Sequence, residues 1–325
     1  MSVVTGCASC GDERAAGAAF CESCGRTLAT GTPPAAGADC PACGTTDAVG
    51  ADGYCGHCGR LVVRPRDHAE TAVATVAAAV TDRGLRHHRN EDAMWLAARD
   101  ADVDAVVCDG VSASFDPDIA SEVAVEAAGR VLASGVPADS PGGLAARVGA
   151  AIAVAGAAVA ALASTGDPRR AASNPACTIV AACVRGREIG YGWVGDSRAY
   201  WIPDEGDAEQ LTEDDSWAAH AIGLGIDPRA AAVDPRAHAI TAWLGADAGP
   251  VEPHTATLRP EQPGLLVLCS DGLWNYLSDP VEFAATVRGA VRKESDLLRA
   301  ARALTALANE RGGADNITVV LVPIN

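Results

Sequence analysis

The sequence predicts an α+β fold in which antiparallel sheets are covered by helices, preceded by a small cysteine-rich module. Apolar runs joined by short polar turns indicate hairpin-linked strands, and long alanine-rich segments indicate paired helices. Eight of the twelve cysteines lie in four C-x-x-C pairs before residue 60. The chain has 325 residues, enough for one large domain and a small one.

The predicted elements begin at residue 71. Apolar and β-branched runs predict strands at residues 72–80, 93–98, 104–108, 177–184, 188–194, 198–202, 255–258, 265–270 and 317–322. Stripes of small apolar residues predict helices at residues 117–133, 141–164, 279–290 and 295–311. The strands do not alternate regularly with helices, and no glycine-rich phosphate loop is present. A nucleotide-binding fold is therefore disfavoured.

The charge of the chain disfavours nucleic acid as a partner. The net charge is −17, and residues 1–60 contain three arginines against six acidic residues. Binding to a phosphate backbone requires cationic contacts.

The first residues, MSVVTGCASC, lack the basic and apolar regions of a signal peptide. The longest apolar run, at 149–163, is short for a span of about 20 residues, so we expect no membrane association.

The cysteine-rich module contains an internal repeat. Each half supplies four thiolates, the number that closes a structural zinc site: Cys7, Cys10, Cys21 and Cys24, then Cys40, Cys43, Cys55 and Cys58. The region has too few apolar residues for a core, so bound metal must stabilise it. We therefore predict a double zinc ribbon with two Zn²⁺ at residues 1–60, a linker at 61–70 and a second domain at 71–325. Thiolates kept for metal indicate a reducing compartment, and we expect a cytoplasmic protein.

Carboxylates recur where the predicted strands begin or end. They are Glu91, Asp92, Asp109, Asp196, Asp271 and Asp315. Side chains from several strand ends can converge on one rim, and an oxygen-only site suits Mg²⁺ or Mn²⁺. Two such ions could acidify a bridging water, the nucleophile that a phosphate monoester requires. Each carboxylate alone could instead be a turn or cap residue, because Asp-Gly is a common turn pair.

Seven motifs in this order resemble the metal-dependent protein phosphatase family (type 2C) in its bacterial form. They are Thr81-Asp82-Arg83-Gly84, Arg89-Asn90-Glu91-Asp92-Ala93, Asp109-Gly110-Val111, Gly195-Asp196-Ser197-Arg198-Ala199-Tyr200, Leu211-Thr212-Glu213-Asp214, Ser270-Asp271-Gly272-Leu273-Trp274 and Asp315-Asn316-Ile317-Thr318-Val319. The match covers residues 70–325. The resemblance implies a sandwich of two antiparallel sheets flanked by helix pairs, four layers in all, and hydrolysis of phosphoserine and phosphothreonine in proteins.

The resemblance also implies roles for particular residues. Asp109 would bridge two Mn²⁺ or Mg²⁺ ions, and Gly110 would offer its carbonyl oxygen. Asp271 and Asp315 would hold the first ion, and Glu91 and Asp92 would anchor metal-bound waters. Asp196, together with Asp271, resembles the ligands of a third metal in bacterial members, although its turn could also be a simple hairpin corner.

The phosphate-binding position departs from the family pattern. His87 stands where many members carry an arginine, with Arg86 and Arg89 beside it. His87 could bind phosphate when protonated, Arg86 or Arg89 could substitute, or the loop could be a solvated basic segment. The segment after Asp215 corresponds to the variable flap of the family.

Two functions are weighed from these observations. The first is a phosphatase acting on phosphoprotein substrates of a serine/threonine kinase, with ribbons that recruit a protein partner or regulate the enzyme. The second is a catalytically weak, phosphatase-like binding or regulatory module, which His87 favours. A cysteine phosphatase would need a basic phosphate loop, which the sequence lacks.

Overall fold

The computed structural model describes residues 39–40, 43–50, 54–59, 64–134, 143–249 and 252–325. Within these residues the strands are β1 (His68–Val73), β2 (Ala77–Asp82), β3 (Ala93–Arg99), β4 (Asp102–Cys108), β5 (Ala176–Cys177), β6 (Ile179–Arg185), β7 (Glu188–Val194), β8 (Arg198–Pro203), β9 (Glu209–Gln210), β10 (Leu244–Gly245), β11 (His254–Leu258), β12 (Gly264–Cys269) and β13 (Ile317–Ile324). The helices are α1 (Pro117–Ala133), α2 (Gly143–Ala161), α3 (Pro168–Ala172), α4 (Trp217–Gly223), α5 (Pro228–Ala232), α6 (Asp271–Trp274), α7 (Pro280–Lys293) and α8 (Leu297–Glu310).

Two antiparallel sheets form the centre of the fold. One has the strand order β1-β2-β13-β12-β8-β9, and the other has the order β11-β7-β6-β4-β3. Their facing sides bury an apolar core that includes Val107, Val180, Leu268 and Val320. This burial is the main stabilising contribution, because nearly all of these side chains leave water on folding.

Helices cover the outer face of each sheet. Helices α1 and α2 pack on the second sheet around residues such as Leu132 and Ile152. Helices α7 and α8 pack on the first sheet around Phe283 and Leu304. The predicted four-layer sandwich is therefore confirmed, with two sheets inside and a helix pair outside each.

One helix in the described part of the chain is long and apolar enough to cross a membrane by length and composition alone. It spans Gly143–Ser164 with a mean hydropathy of 1.9. Its apolar stripe, which includes Val148, Ile152 and Val159, is fully buried, and the helix contacts α1 and β7. The residues pack as the core helix of a sandwich does.

The beginning of the domain differs from the sequence prediction. Residues 72–80 were expected to form one strand, but β1 and β2 form a hairpin. Ala74 adopts a left-handed conformation (φ 44°) in the turn. The segment TAVATVAAAV contains none of the usual turn residues, so its composition could not reveal this break. Strand β1 starts at His68, so the last residues of the segment 61–70 belong to the sheet.

Candidate metal centre and active site

The strand registers bring the predicted carboxylates to one edge of the sandwich. Asp109 follows β4, Asp271 follows β12 and begins α6, and Asp196 lies in the turn between β7 and β8. Asp92 directly precedes β3, and Asp315 lies shortly before β13. Neighbouring antiparallel strands run in opposite directions, so these strand ends and strand starts meet at the same edge.

Asp109 and Asp271 lie in the middle of this carboxylate cluster. Burial, followed by repulsion from Asp92, Asp271 and Asp315, raises the pKa of Asp109 well above its usual range. Burial, followed by repulsion from Asp315, Asp196 and Asp92, raises the pKa of Asp271 likewise. Each carboxylate therefore lies close enough to several others to be destabilised by their negative charges.

Asp92 is held by hydroxyl groups on one side only. Its Oδ2 accepts hydrogen bonds from Ser270 Oγ and Thr318 Oγ1, both at 2.7 Å. Its Oδ1 is buried and has no protein partner. Burial raises the pKa of Asp92 to about 7, opposed by the two hydroxyls and assisted by repulsion from Asp315.

Asp196 is set in the β7–β8 turn by its neighbours. Its carbonyl oxygen accepts a hydrogen bond from Trp274 Nε1 (3.0 Å). Arg198 stacks over the Trp274 ring at 3.5 Å and forms an ion pair with Asp214 at 2.6 Å. Burial, followed by repulsion from Asp214, raises the pKa of Asp196 to about 7. The turn is therefore a rigid part of the cluster.

The donor set fits divalent cations. Buried Oδ1 atoms of Asp92 and Asp271 have no hydrogen-bond partner, and such atoms are costly unless a ligand satisfies them. Among the described residues, no lysine or arginine is ion-paired with Asp109, Asp196 or Asp271, and Arg198 is committed to Asp214. Carboxylate oxygens without cationic partners are the ligands that Mg²⁺ and Mn²⁺ prefer.

Two glycines allow the backbone to approach these carboxylates closely. A Cβ at Gly110 would lie 2.6 Å from the carbonyl oxygen of Pro117 and 2.8 Å from that of Glu91. A Cβ at Gly272 would collide with the carbonyl oxygen of Asn316. Only glycine fits at either position, which explains the Asp-Gly pairs after β4 and β12.

Glu91 and Arg89 form an ion pair at the side of the carboxylate cluster. The Glu91 carboxylate is 2% exposed and accepts hydrogen bonds from Arg89 Nε (3.1 Å) and Ser112 Oγ (2.6 Å). Arg89 also forms an ion pair with Asp118 at 2.9 Å. Arg89 is therefore engaged by carboxylates, and we find it less suited to bind phosphate than the sequence alone suggested.

His87 and Arg86 differ in what they contact. His87 Nε2 lies 3.2 Å from Asp315 Oδ1, so the imidazole reaches the carboxylate cluster. Arg86 is exposed and forms no ion pair within the described residues, and its backbone nitrogen donates to Gly313 (3.2 Å). Of the three candidates for phosphate binding, Arg86 is the one whose guanidinium is available.

Four cysteines of the N-terminal module form a second candidate metal site. The Sγ atoms of Cys40, Cys43, Cys55 and Cys58 all lie within 4.8 Å of one another. The Cys40–Cys58 and Cys43–Cys55 sulfur pairs are 3.7 and 3.6 Å apart. Tetrahedral zinc with bonds of about 2.3 Å places its sulfurs about 3.8 Å apart. The predicted site at Cys7, Cys10, Cys21 and Cys24 lies outside the described residues.

The polypeptide around these thiols has the geometry of two knuckles. Gly44 and Gly59 adopt φ values of 70° and 71° and donate their backbone N–H groups to the carbonyl oxygens of Cys40 and Cys55, each at 2.8 Å. Hydrogen bonding with Thr45 lowers the pKa of the Cys43 thiol to about 6. A thiol that deprotonates readily is a better metal ligand.

Several residues to which the sequence assigned no role support the carboxylates. Thr178 is hydrogen-bonded to the backbone of Asp109 and to Ser197 Oγ (2.8 Å). Asn316 Oδ1 accepts from the Glu91 backbone nitrogen (2.7 Å). Ser270 and Thr318 hold Asp92. The available signal was a polar residue beside a motif carboxylate at the end of an apolar strand.

The family assignment rests on most of the chain. Residues 83–308 match the Protein phosphatase 2C family. The chain therefore belongs to this family of metal-dependent phosphatases. The serine/threonine protein phosphatase PstP of Mycobacterium tuberculosis is 31% identical over 250 residues, which cover 76% of this chain and 44% of PstP. The serine/threonine phosphatase stp of Listeria innocua is 34% identical over 46% of this chain and 56% of its own length. This chain thus spans about half the length of these curated relatives.

Solved structures of bacterial serine/threonine phosphatases share the fold. The crystal structure of M. tuberculosis PstP has a TM-score of 0.63 at 29% identity, covering 77% of this chain and 98% of that one. Stp1 of Staphylococcus aureus has a TM-score of 0.67 at 26% identity, covering 81% of this chain and 100% of Stp1. The catalytic domain of PstP in complex with two manganese ions has a TM-score of 0.60 at 28% identity, covering 77% and 98%.

Proposed function

We propose that this chain hydrolyses phosphoserine and phosphothreonine in proteins at a Mn²⁺ or Mg²⁺ centre. The carboxylate cluster carries the proposal, because Asp109, Asp196 and Asp271 gather at one edge and none of them is ion-paired with a lysine or arginine among the described residues. All members of the cluster except Asp315 lie within residues 83–308, the part of the chain that matches the family. A site of this kind has no evident structural use, since the mutual repulsion of its carboxylates destabilises the fold.

The residues have distinct roles in this proposal. Asp109, Asp271, Asp315 and the carbonyl oxygen of Gly110 would hold two ions, and Asp196 with Asp271 would hold a third. The ions would supply an activated water and neutralise the charge on the phosphate. Glu91 and Asp92 would orient water molecules at the edge of the site. Asp92 is suited to this because its Oδ1 has no protein partner.

The test is turnover of a phosphothreonine peptide by the full chain with and without Mn²⁺. We expect hydrolysis only when Mn²⁺ or Mg²⁺ is supplied, because the uncatalysed reaction is extremely slow. The alternative is the catalytically weak binding module, which the histidine at position 87 favours. Binding of the phosphopeptide with no metal-dependent phosphate release would support that alternative and contradict the enzyme.

Phosphate binding is expected to depend on Arg86 and His87. Arg86→Ala should raise KM for a phosphopeptide by about tenfold or more, because a charge-assisted hydrogen bond to phosphate contributes about 1.5–3 kcal/mol. His87→Arg should lower KM, because arginine is a permanent cation that can bind phosphate through two parallel hydrogen bonds. Arg187→Ala, an exposed arginine in the β6–β7 turn, is the matched control and should leave KM unchanged. An unchanged KM in both Arg86→Ala and His87→Arg would remove these residues from phosphate binding.

We further propose that the N-terminal module binds Zn²⁺ and regulates the catalytic domain. The module contacts the loop that carries His87: the rings of Tyr54 and His88 meet edge to face with centroids 6.1 Å apart. Tyr54 directly precedes the zinc-site residue Cys55. Regulation of the neighbouring loop therefore has a contact to support it, whereas recruitment of a protein partner rests on the sequence alone. The thiol cluster suits a reducing compartment such as the cytoplasm.

Metal analysis and one pair of variants test this role. We expect about two zinc ions per chain, one for each set of four cysteines. Tyr54→Ala should change KM for a phosphopeptide by about two- to tenfold, because an aromatic pair contributes about 0.5–1.5 kcal/mol. Tyr54→Phe keeps the ring and should behave as the wild type. Equal kinetics for Tyr54→Ala and wild type would separate the module from the active site.

A further inference from the structure

A short segment before the first sheet is hydrogen-bonded to the carboxylate site. Residues Pro65–Asp67 form a single 3-10 turn, and they precede the part of the chain that matches the family. The Asp67 carboxylate is 2% exposed and accepts hydrogen bonds from the backbone nitrogens of Asn90 (3.2 Å) and Arg64 (2.8 Å). The Asp67 carbonyl oxygen accepts from the backbone nitrogen of Arg83 (2.7 Å). Through these contacts, Asp67 fixes the backbone at both ends of the loop from Arg83 to Asn90.

Arg66 makes a second set of contacts, which reach the string Asn90–Asp92. Its carbonyl oxygen accepts from Asn90 Nδ2 (3.1 Å). Its Nη2 donates to the carbonyl oxygens of Asp118 (3.0 Å) and Asp92 (3.4 Å). Its Nη1 forms an ion pair with Glu122 at 2.6 Å, outside the site.

Asn90 is linked to the Asp92 side chain through the hydroxyl groups of Thr81 and Thr318. Asn90 Nδ2 also donates to Thr81 Oγ1 (2.8 Å), and Thr81 Oγ1 is hydrogen-bonded to Thr318 Oγ1 (2.7 Å). Thr318 Oγ1 donates to Asp92 Oδ2 (2.7 Å). Asp67 is therefore connected to the Asp92 carboxylate by an unbroken series of hydrogen bonds, and every residue in this series is buried.

We propose that Arg66 and Asp67 are positioning residues for the metal centre, and that they act by fixing the Asn90–Asp92 string. This inference rests on the proposed function, because it assigns the free Asp92 Oδ1 to the metal site. The turn Arg64–Asp67 joins the cysteine module to the catalytic domain in sequence. The chain thus uses the segment that follows its N-terminal module to hold an active-site carboxylate.

The test compares Mn²⁺ affinity in four single variants of the full chain, measured by titration calorimetry in buffered zinc. Asp67→Asn removes the charge that holds Asn90 and Arg64. Arg66→Met removes the guanidinium but keeps most of the apolar stem. Residues that orient metal ligands typically change metal affinity or activity by about 10–100-fold, and we expect a loss of Mn²⁺ affinity in this range for both.

Two controls separate positioning from a loss of stability. Glu122→Gln removes the outer ion pair of Arg66 but leaves both Nη2 hydrogen bonds. Asp104→Asn removes another buried carboxylate, which pairs with Arg185 (2.7 Å) at the opposite end of β4. Both controls should bind Mn²⁺ as the wild type does and should keep its kcat and KM.

The outcomes distinguish this inference from the proposed function. Weaker Mn²⁺ binding in Asp67→Asn and Arg66→Met, with a lower kcat and a KM at saturating Mn²⁺ within about twofold of wild type, supports positioning. Wild-type affinity in both variants, or equal losses in the controls, overturns it. A wild-type protein that binds Mn²⁺ without hydrolysing phosphopeptides contradicts the phosphatase proposal, while the affinity comparison still decides the role of the turn.

Discussion

Replacing Asp109 by asparagine is expected to abolish metal-dependent phosphatase activity while leaving the metal-free protein at least as stable as the wild type. Asp109 follows β4 and is surrounded by Asp92, Asp271 and Asp315, whose charges raise its pKa. Loss of a shared ligand should reduce turnover by at least about 1,000-fold. Metal activation is worth several kcal/mol, and each 1.4 kcal/mol is a factor of ten.

The stability of this variant makes the prediction specific. Asparagine removes one negative charge from a repelling group, so urea denaturation of the metal-free variant at pH 8 should require no less denaturant. Asp104→Asn, a substitution within β4 itself, is the control with the opposite pattern. It leaves Arg185 without its closest partner and should lose about 1–3 kcal/mol of stability while keeping turnover. An Asp109→Asn protein that is folded and retains wild-type turnover would refute the proposed centre.

The second large effect concerns the pH dependence of the metal-free protein. Asp92 and Asp196 each have a pKa of about 7 in the folded state, against an ordinary value of 3.8. The folded state therefore binds these protons more tightly than the unfolded state. The resulting stabilisation is complete below pH 4 and is lost as the pH rises through 7. From pH 5 to pH 8, one such group should lower the free energy of unfolding by about 3 kcal/mol.

With saturating Mn²⁺, the free energy of unfolding should instead increase as the pH rises. The reason is that the metal binds the deprotonated carboxylates and stabilises the folded state. Urea denaturation at pH 5 and pH 8, with zinc buffered throughout, measures both effects. Asp92→Asn is the matched variant, and the fall in stability of its metal-free form should be smaller. A metal-free wild type that is more stable at pH 8 than at pH 5 would show that the carboxylates do not destabilise one another.

The sequence by itself predicted the fold class and the family, which are confirmed, and it named the carboxylates that the structure gathers at one edge. Hairpin-linked apolar runs predicted the sheets, and α1 was predicted at its observed bounds, Pro117–Ala133. The carboxylates could be found because each lies beside an apolar strand, and the four cysteines Cys40, Cys43, Cys55 and Cys58 because their spacing is local. These features depend on short stretches of chain. Composition and periodicity reveal the chemistry of such stretches directly.

Only the tertiary structure decided which groups satisfy one another. The ion pair of Arg89 with Asp118 joins separate elements, and so do the hydroxyl groups that hold Asp92. The contact of His87 with Asp315 and the hydrogen bonds of Asp67 to Asn90 likewise connect distant positions. No local pattern encodes such pairings, because strand register and sheet packing determine which side chains meet.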